Sequence, residues 1–141
     1  MRLPICGMIA GALLVLAQPA AADDADTCTK ASGDVAIAAC SRAIASMRYN
    51  GHQLAVLYNN RGAEHQRKGD ADLAITDHNE AIRFDPKYAK AYNNRGNAQR
   101  LKIDLDGSIA DLAEAIRLDP KYASPYYNRG LTWEIKGNKD R

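Results

Sequence analysis

The sequence predicts an all-α fold, a short solenoid of antiparallel helix pairs, on three observations. The chain of 141 residues repeats every 34 residues: residues 55–88 and 89–122 are identical at 19 of 34 positions, and residues 123–141 begin a third copy. Small and apolar residues recur at helical spacing within each copy. Glycine or proline next to aspartate separates the predicted helices. A fixed period of this length indicates stacked helical units.

The first segment, residues 1–22, has the features of a secretion signal. Arg2 precedes an apolar run over residues 5–17, and the alanines at positions 20–22 match a small-residue cleavage site. The apolar run is shorter than the roughly 20 residues that a membrane-spanning helix needs. We therefore expect cleavage, export and no stable membrane anchor, with an uncleaved N-terminal anchor as the alternative.

Residues 23–54 predict a degenerate repeat followed by a loop. Residues 34–46 have the apolar spacing of a second repeat helix, and residues 24–31 are long enough for a short partner helix. The connection to the next repeat is longer than elsewhere and contains an Asn–Gly turn signal. We therefore expect a long loop over residues 47–53.

The two complete repeats, residues 55–88 and 89–122, each predict two helices. Gly69 and Asp70 separate the helices of the first repeat, and Asp70 is a candidate N-cap. Pro86 and its counterpart 34 residues later end each repeat, because proline cannot continue a preceding helix.

This pattern resembles the tetratricopeptide repeat (TPR), a helix–turn–helix unit of 34 residues with small residues and a proline at fixed positions. The matching residues are Gly62, Ala74, Ala81 and Pro86, then Gly96, Ser108, Ala115 and Pro120. The resemblance covers residues 55–141 and implies a right-handed superhelix. It also implies that the first helix of each repeat lines a concave face.

Asparagine recurs at the sixth position of each first helix, as Asn60, Asn94 and Asn128. A carboxamide offers an acceptor and two donors, which suits the backbone of an extended peptide. We therefore predict a peptide groove, with the alternative that asparagine merely suits this helix surface. The neighbouring groove positions that the resemblance implies are Asn59, Gln66, Asn93, Asn97, Arg100 and Tyr127.

The chaperone-binding subclass of TPR proteins holds a terminal carboxylate with Lys, Asn and Arg at set positions, of which only Asn94 matches here. Those positions are Asn59, Ala63, Asn94, Ser124 and Asn128 in this sequence. Every cation is missing, so we expect no carboxylate clamp.

Residues 123–141 predict one helix, near residues 123–136, at the open end of the array. Leu131, Trp133 and Ile135 are apolar, whereas the terminal face of a repeat array is usually polar. An exposed apolar patch often marks an interface. These three residues are therefore a candidate interface, and a homo-oligomer is one expected outcome.

Cys28 and Cys40 are the two cysteines that follow the predicted signal. Export implies an oxidising compartment. We predict that they form a disulfide within the degenerate repeat. Two buried thiols and a redox pair are the alternatives, although the spacing typical of a redox pair, Cys-x-x-Cys, is absent.

His65 and His78 occupy positions of the first repeat that pack against each other in this family. Two imidazoles are fewer ligands than a tight metal site requires. We expect a packed, hydrogen-bonded pair or an acid-sensitive position, with no metal cofactor.

Arginine also recurs, as Arg61, Arg95 and Arg129. One interpretation is a surface for an acidic partner. The other is internal pairing with the periodic acids Asp77 and Asp111, which we favour.

Composition and motifs restrict the function. Lys and Arg total 19 against 17 Asp and Glu, so the net charge of +2 gives no sign of a nucleic-acid binder. No nucleophile, zinc-protease or phosphate-loop motif occurs. The chain resembles small exported TPR proteins of alphaproteobacteria, which implies a Gram-negative periplasm. We predict a non-catalytic module that binds a protein or peptide without a cofactor. A self-associating assembly subunit and a minor metal or redox protein are the alternatives.

Overall fold

The computed structural model describes residues 21–139, and this part of the chain forms seven α-helices and no strand. Each helix packs on its neighbours in sequence, and the first helices of successive repeats also touch one another. The helices are α1 (Ala21–Lys30), α2 (Gly33–Ala45), α3 (Gly51–Arg67), α4 (Ala71–Phe84), α5 (Ala89–Leu101), α6 (Leu105–Leu118) and α7 (Ala123–Lys139). This arrangement is the predicted all-α solenoid of helix pairs.

Small residues let the helices approach closely. Ala55, Ala81 and Ala91 form one buried cluster where α3, α4 and α5 meet. Gly62 and Gly96 lie where α3 crosses α4 and where α5 crosses α6. A Cβ added at Gly62 would lie 3.1 Å from the Ala74 carbonyl oxygen, and one at Gly96 would lie 3.1 Å from that of Ser108. Glycine at both positions therefore lets the helices approach more closely than a residue with a Cβ would.

A disulfide joins α1 to α2. Cys28 and Cys40 are bonded, with their Cα atoms 4.7 Å apart, and both side chains are buried. They belong to a core cluster that reaches Leu57 on α3. The predicted pairing is thus present, and closing a loop of this size stabilises a fold by about 3 kcal/mol in the chain-entropy model.

The long loop expected over residues 47–53 is wrong. Helix α3 begins at Gly51, so only residues 46–50 connect α2 to α3. The extra residues lengthen the helix instead: α3 has 17 residues and its counterpart α5 has 13. Extending an existing helix adds one hydrogen bond for each residue fixed, which an irregular loop does not.

Asp70 precedes α4 as predicted, but its side chain makes no cap hydrogen bond. The equivalent Asp104 caps α6 by accepting a hydrogen bond of 3.1 Å from the Gly107 amide. A Cβ at Gly107 would lie 2.3 Å from Asp104 Oδ2, so a larger residue there would require this carboxylate to shift. The equivalent residue in α4 is Leu73.

Ion pairs at the same repeat positions tie each helix pair to the next along an exposed edge. In each, a lysine near the end of a first helix bonds an aspartate at the start of the preceding second helix. The pairs are Lys68–Asp34, Lys102–Asp72 and Lys136–Asp106. The aspartates are more than 80% exposed, so solvent screens these pairs and they add little to stability.

The predicted signal lies outside the described residues, except for Ala21 and Ala22 at the start of α1. Within residues 21–139, no helix has the length and apolar character needed to cross a membrane.

Candidate functional site

Asparagine carboxamides connect the first helices α3, α5 and α7 across their shared face. Asn128 Nδ2 donates to Asn93 Oδ1 over 2.9 Å, and Asn94 Nδ2 donates to Asn59 Oδ1 over 3.0 Å. Asn93 Nδ2 donates to Asn94 Oδ1 over 3.2 Å, which joins the two bonds into one chain. We call the surface of α3, α5 and α7 that carries these residues the groove.

The predicted groove asparagines divide into two sets. Asn59 and Asn93 are only 4% exposed, so they hold neighbouring helices together rather than face a ligand. Asn94 and Asn128 are partly exposed. Each has a second amide hydrogen that takes no part in the hydrogen bonds between the asparagines. Asn60 is partly exposed and has no hydrogen-bond partner within residues 21–139.

Unpaired polar atoms mark the middle of the groove, on α5. Asn97 Oδ1 and Arg100 Nε are both buried and have no hydrogen-bond partner. These residues are three positions apart, so they lie on neighbouring turns of one helix face. The first atom is an acceptor and the second a donor. A buried polar atom without a partner costs about 1–3 kcal/mol, which a ligand can recover once these two partly exposed side chains turn their polar atoms towards it.

The ends of the groove carry Gln66 on α3 and Tyr127 on α7. Gln66 is partly exposed, and Tyr127 is 69% exposed. Tyr127 therefore presents an aromatic ring with a hydroxyl beside Asn128.

The candidate interface residues do not form one patch. Trp133 is 53% exposed, and Leu131 and Ile135 each lie two positions away from it along α7. Two positions correspond to about 200° around a helix, so Leu131 and Ile135 share the groove side whereas Trp133 points away from it. Ile135 is 37% exposed and Leu131 is partly buried.

The arginines of the two complete repeats pair internally, as expected. Arg61 bonds Asp77 through Nε and Nη2 at 2.8 and 2.7 Å, and Arg95 bonds Asp111 at 2.6 and 2.7 Å. Each arginine thus links a first helix to the second helix of its repeat. Arg129 has no carboxylate partner within residues 21–139. Its guanidinium lies 6.0 Å from the ring of Tyr126.

His78 is buried between α3 and α4, and neither of its ring nitrogens has a hydrogen-bond partner. Burial, with a smaller effect from the positive charge of Arg95, lowers the pKa of His78 to about 4. His65 Nδ1 is also unpartnered, and its Nε2 lies 3.9 Å from Asp77. The two histidines are therefore packed but not hydrogen-bonded. Within the part of the chain described, no three His, Cys, Asp or Glu residues are grouped to hold a metal ion.

A shallow pocket of about 320 Å³ lies where α5 begins, between the two inter-repeat loops. Tyr88 and Tyr122 line it together with Lys87 and Lys90. These residues were not among those predicted from the sequence, although the Asp-Pro-Lys-Tyr segment that precedes α5 and α7 was a signal for them.

Comparison with known proteins agrees with the geometry. A family model described as the TPR repeat matches residues 62–101 and 104–135. The chain belongs to the TPR family. A comparison with curated protein sequences finds no match.

Several solved TPR domains share the fold. The Arabidopsis OM64 TPR domain is 22% identical, with 82% of this chain and 96% of that chain aligned and a TM-score of 0.75. The first TPR of Spaghetti (RPAP3), bound to the HSP90 peptide SRMEEVD, is 24% identical over 74% of this chain and 79% of that chain, with a TM-score of 0.68. The second TPR domain of human RPAP3, in complex with the HSP70 peptide SGPTIEEVD, is 21% identical over 80% and 98%, with a TM-score of 0.68.

Proposed function

We propose that this TPR protein is a non-catalytic interaction module that binds an extended segment of a partner protein in the groove. The observation that carries the proposal is the buried acceptor Asn97 Oδ1 beside the buried donor Arg100 Nε. An extended peptide backbone presents N–H and C=O groups alternately, so one segment can satisfy both atoms when the two side chains turn towards it.

The asparagines extend this contact along the groove. Asn60 has its whole carboxamide available, and Asn94 and Asn128 each have one amide hydrogen in reserve. Contacts of this kind engage the backbone and not the side chains of a ligand. The groove therefore binds by main-chain hydrogen bonds, with Gln66 and Tyr127 contacting side chains at either end.

The groove differs from one that captures a terminal carboxylate. The solved RPAP3 domains hold peptides that end in EEVD. The clamp positions here include Ala63 and Ser124, none of the five clamp positions carries a cation, and Asn59 is buried in the chain of asparagine hydrogen bonds. We propose that this protein takes extended segments without requiring a free acidic C-terminus.

We also propose that the module works after export, in a Gram-negative periplasm. The signal-like segment 1–22 and the Cys28–Cys40 disulfide support this location, because disulfides persist in oxidising compartments. The disulfide is buried, which suits a structural bond better than an exposed redox pair.

The test is the selection of peptides from a random library on the full chain, followed by affinity measurements. Asn97→Ala and Arg100→Gln should each weaken the selected peptides about tenfold, because each removes one hydrogen bond to the ligand. Arg83→Gln is the control, because Arg83 is exposed and pairs with Glu80 on its own helix, α4. Peptides that bind both groove variants as tightly as the wild type would refute the proposal.

A further inference from the structure

The pocket between the two inter-repeat loops has a filled counterpart one repeat earlier. Asp119 and Tyr122, which line the pocket, are equivalent by the 34-residue period to Asp85 and Tyr88. At the earlier site His52, in the first turn of α3, bonds Asp85 and packs against Tyr88. We call the pocket lined by Tyr88, Asp119 and Tyr122 the tyrosine pocket, and the place that His52 occupies the histidine site.

The histidine site shows which group these side chains accept. His52 Nδ1 lies 2.5 Å from Asp85 Oδ2. The ring centroids of His52 and Tyr88 are 4.9 Å apart at an interplanar angle of 78°, which is an edge-to-face contact. An ionised carboxylate can only accept a hydrogen bond, so the imidazole nitrogen is the donor. The carboxylate and the aromatic ring therefore hold one imidazole between them.

The tyrosine pocket has the same two groups, but the chain places a proline where the histidine site has its imidazole. Asp119 Oδ1 accepts the Lys121 amide over 3.0 Å. Asp119 Oδ2 has no hydrogen-bond partner within residues 21–139, whereas Asp85 Oδ2 is bonded to His52. The residue equivalent to His52 is Pro86, whose side chain has no donor. One carboxylate oxygen thus remains available to a ligand.

We infer that the tyrosine pocket binds an imidazole ring, either the side chain of a histidine on a partner protein or free histidine. The volume of about 320 Å³ is at the lower end of the range for pockets that bind small molecules, which suits one small ring. Leu118 adds an apolar wall. All lining residues lie within residues 87–122, so the pocket is complete within the two full repeats. This inference does not rest on groove binding.

Two lysines narrow the choice of ligand. Lys87 and Lys90 are exposed and line the same pocket as Asp119. Their charges oppose a second cation, such as an arginine or lysine side chain, which Asp119 alone would attract. A neutral imidazole donates one hydrogen bond to Asp119 without adding a positive charge. The charge of the pocket therefore favours histidine over the two permanently basic side chains.

The experiment titrates N-acetyl-histidine methylamide, which copies a histidine within a peptide, into the isotope-labelled full chain. The pH is about 8, where a free imidazole is mostly neutral. Nuclear magnetic resonance should show saturable shifts of the Asp119 and Tyr122 signals. The dissociation constant should be of the order of 10 mM, because the ligand is small and makes one hydrogen bond to the pocket.

Two parallel titrations test the source and the selectivity. Tighter binding of the methylamide than of free histidine assigns the ligand to a partner protein, and the reverse order assigns it to the free amino acid. Either order supports an imidazole site. N-acetyl-lysine methylamide should produce no saturable shift, because Lys87 and Lys90 oppose its charge.

Three variants locate the ligand. Asp119→Asn should weaken binding about tenfold, because the hydrogen bond loses its charged acceptor. The matched change at the histidine site, Asp85→Asn, should leave binding at Tyr122 unchanged. His52→Ala opens the histidine site, so the same probe should now also shift the Tyr88 signals. Circular dichroism should give equal helix content for all three variants, because each substituted side chain is exposed or partly exposed.

Three results would overturn the inference. The first is the absence of a saturable shift at Tyr122, whether or not His52→Ala binds the probe. The second is equal affinity of Asp119→Asn and the wild type, and the third is equal binding of the lysine and histidine compounds. Asn97→Ala leaves the expected shifts unchanged, so a failure of groove binding is distinguishable from a failure here.

Discussion

The two complete repeats, residues 55–88 and 89–122, join their helices by the same contacts but differ in what they leave unsatisfied. Both have a bidentate Arg–Asp pair and a glycine at the helix crossing. At the position facing that glycine, the first repeat has His78 and the second has Leu112. At the turn between helices, the first has Gly69 and the second has Ile103, both with positive φ.

The comparison distinguishes the contacts that both repeats share from the positions at which different side chains are accommodated. The glycine and the ion pair are retained because they set the distance between the helices. The facing side chain varies, since a ring and a branched aliphatic group occupy similar space. Each repeat therefore carries one unfavourable feature: an unpartnered buried imidazole in the first and a β-branched residue in a left-handed turn in the second.

The largest expected effect is the loss of folding stability that His78 causes at acidic pH. Its pKa is about 4 in the folded protein against an ordinary 6.5, so the unfolded chain binds more protons between these values. The contribution of His78 to stability is therefore lost as the pH falls through this window, by about 2 kcal/mol between about pH 7.5 and about pH 5. His78→Leu, which copies Leu112, should remove this loss in urea unfolding at the two pH values.

His65→Gln, which copies Gln99, is the control for that experiment. This variant should lose as much stability on acidification as the wild type does. The account of His78 fails if His78→Leu loses as much stability on acidification as the wild type.

The second prediction compares glycines at equivalent positions. Gly96→Ala places a Cβ 3.0 Å from Leu112 Cγ and 3.1 Å from a carbonyl oxygen, which should destabilise the fold by about 2 kcal/mol. Gly130→Ala meets open space within a helix and should stabilise by about 0.5–1 kcal/mol. Urea unfolding of the two variants should give opposite signs. A loss at Gly130 equal to that at Gly96 would mean that this position on α7 is packed against other residues.

The smallest effect is expected at the turn of the second repeat. Ile103 has a φ of 63° and is 54% exposed, so replacing it gives up little burial. Ile103→Gly, which copies Gly69, should stabilise by about 1 kcal/mol, because glycine adopts this conformation without the steric cost of a Cβ. The reverse change, Gly69→Ile, should destabilise by a similar amount in thermal unfolding. A lower stability of the Ile103→Gly variant would contradict the assignment of backbone strain to Ile103.

The period of the sequence was sufficient to predict much of the fold. Thirty-four-residue spacing defined the helix pairs, and the periodic acids Asp77 and Asp111 identified the partners of Arg61 and Arg95. The pairing of Cys28 with Cys40 followed from their place in the degenerate repeat. These features depend on local periodicity, which a single sequence displays directly.

The site was less predictable because it depends on how successive repeats rotate against each other. That rotation buries Asn59 and Asn93 between first helices, whereas Asn60 stays partly exposed. Helical spacing places Asn59 and Asn60 about 100° apart on α3, but it does not show which of them faces a neighbouring first helix. The unpaired atoms of Asn97 and Arg100 likewise emerge only from the packing around α5. Contacts between repeats, and not the pattern within one, decide which polar groups remain for a ligand.

The most direct test of groove binding is to locate a bound peptide by photo-cross-linking. A photoreactive residue is placed in the full chain at position 63, which is the equivalent of position 97 on α3, or at position 110, on the exposed side of α6. A peptide selected on the wild-type chain is then added, and adducts are measured by mass spectrometry. The proposal predicts efficient cross-linking from position 63 and little from position 110. Equal yields, or a higher yield from position 110, would contradict it.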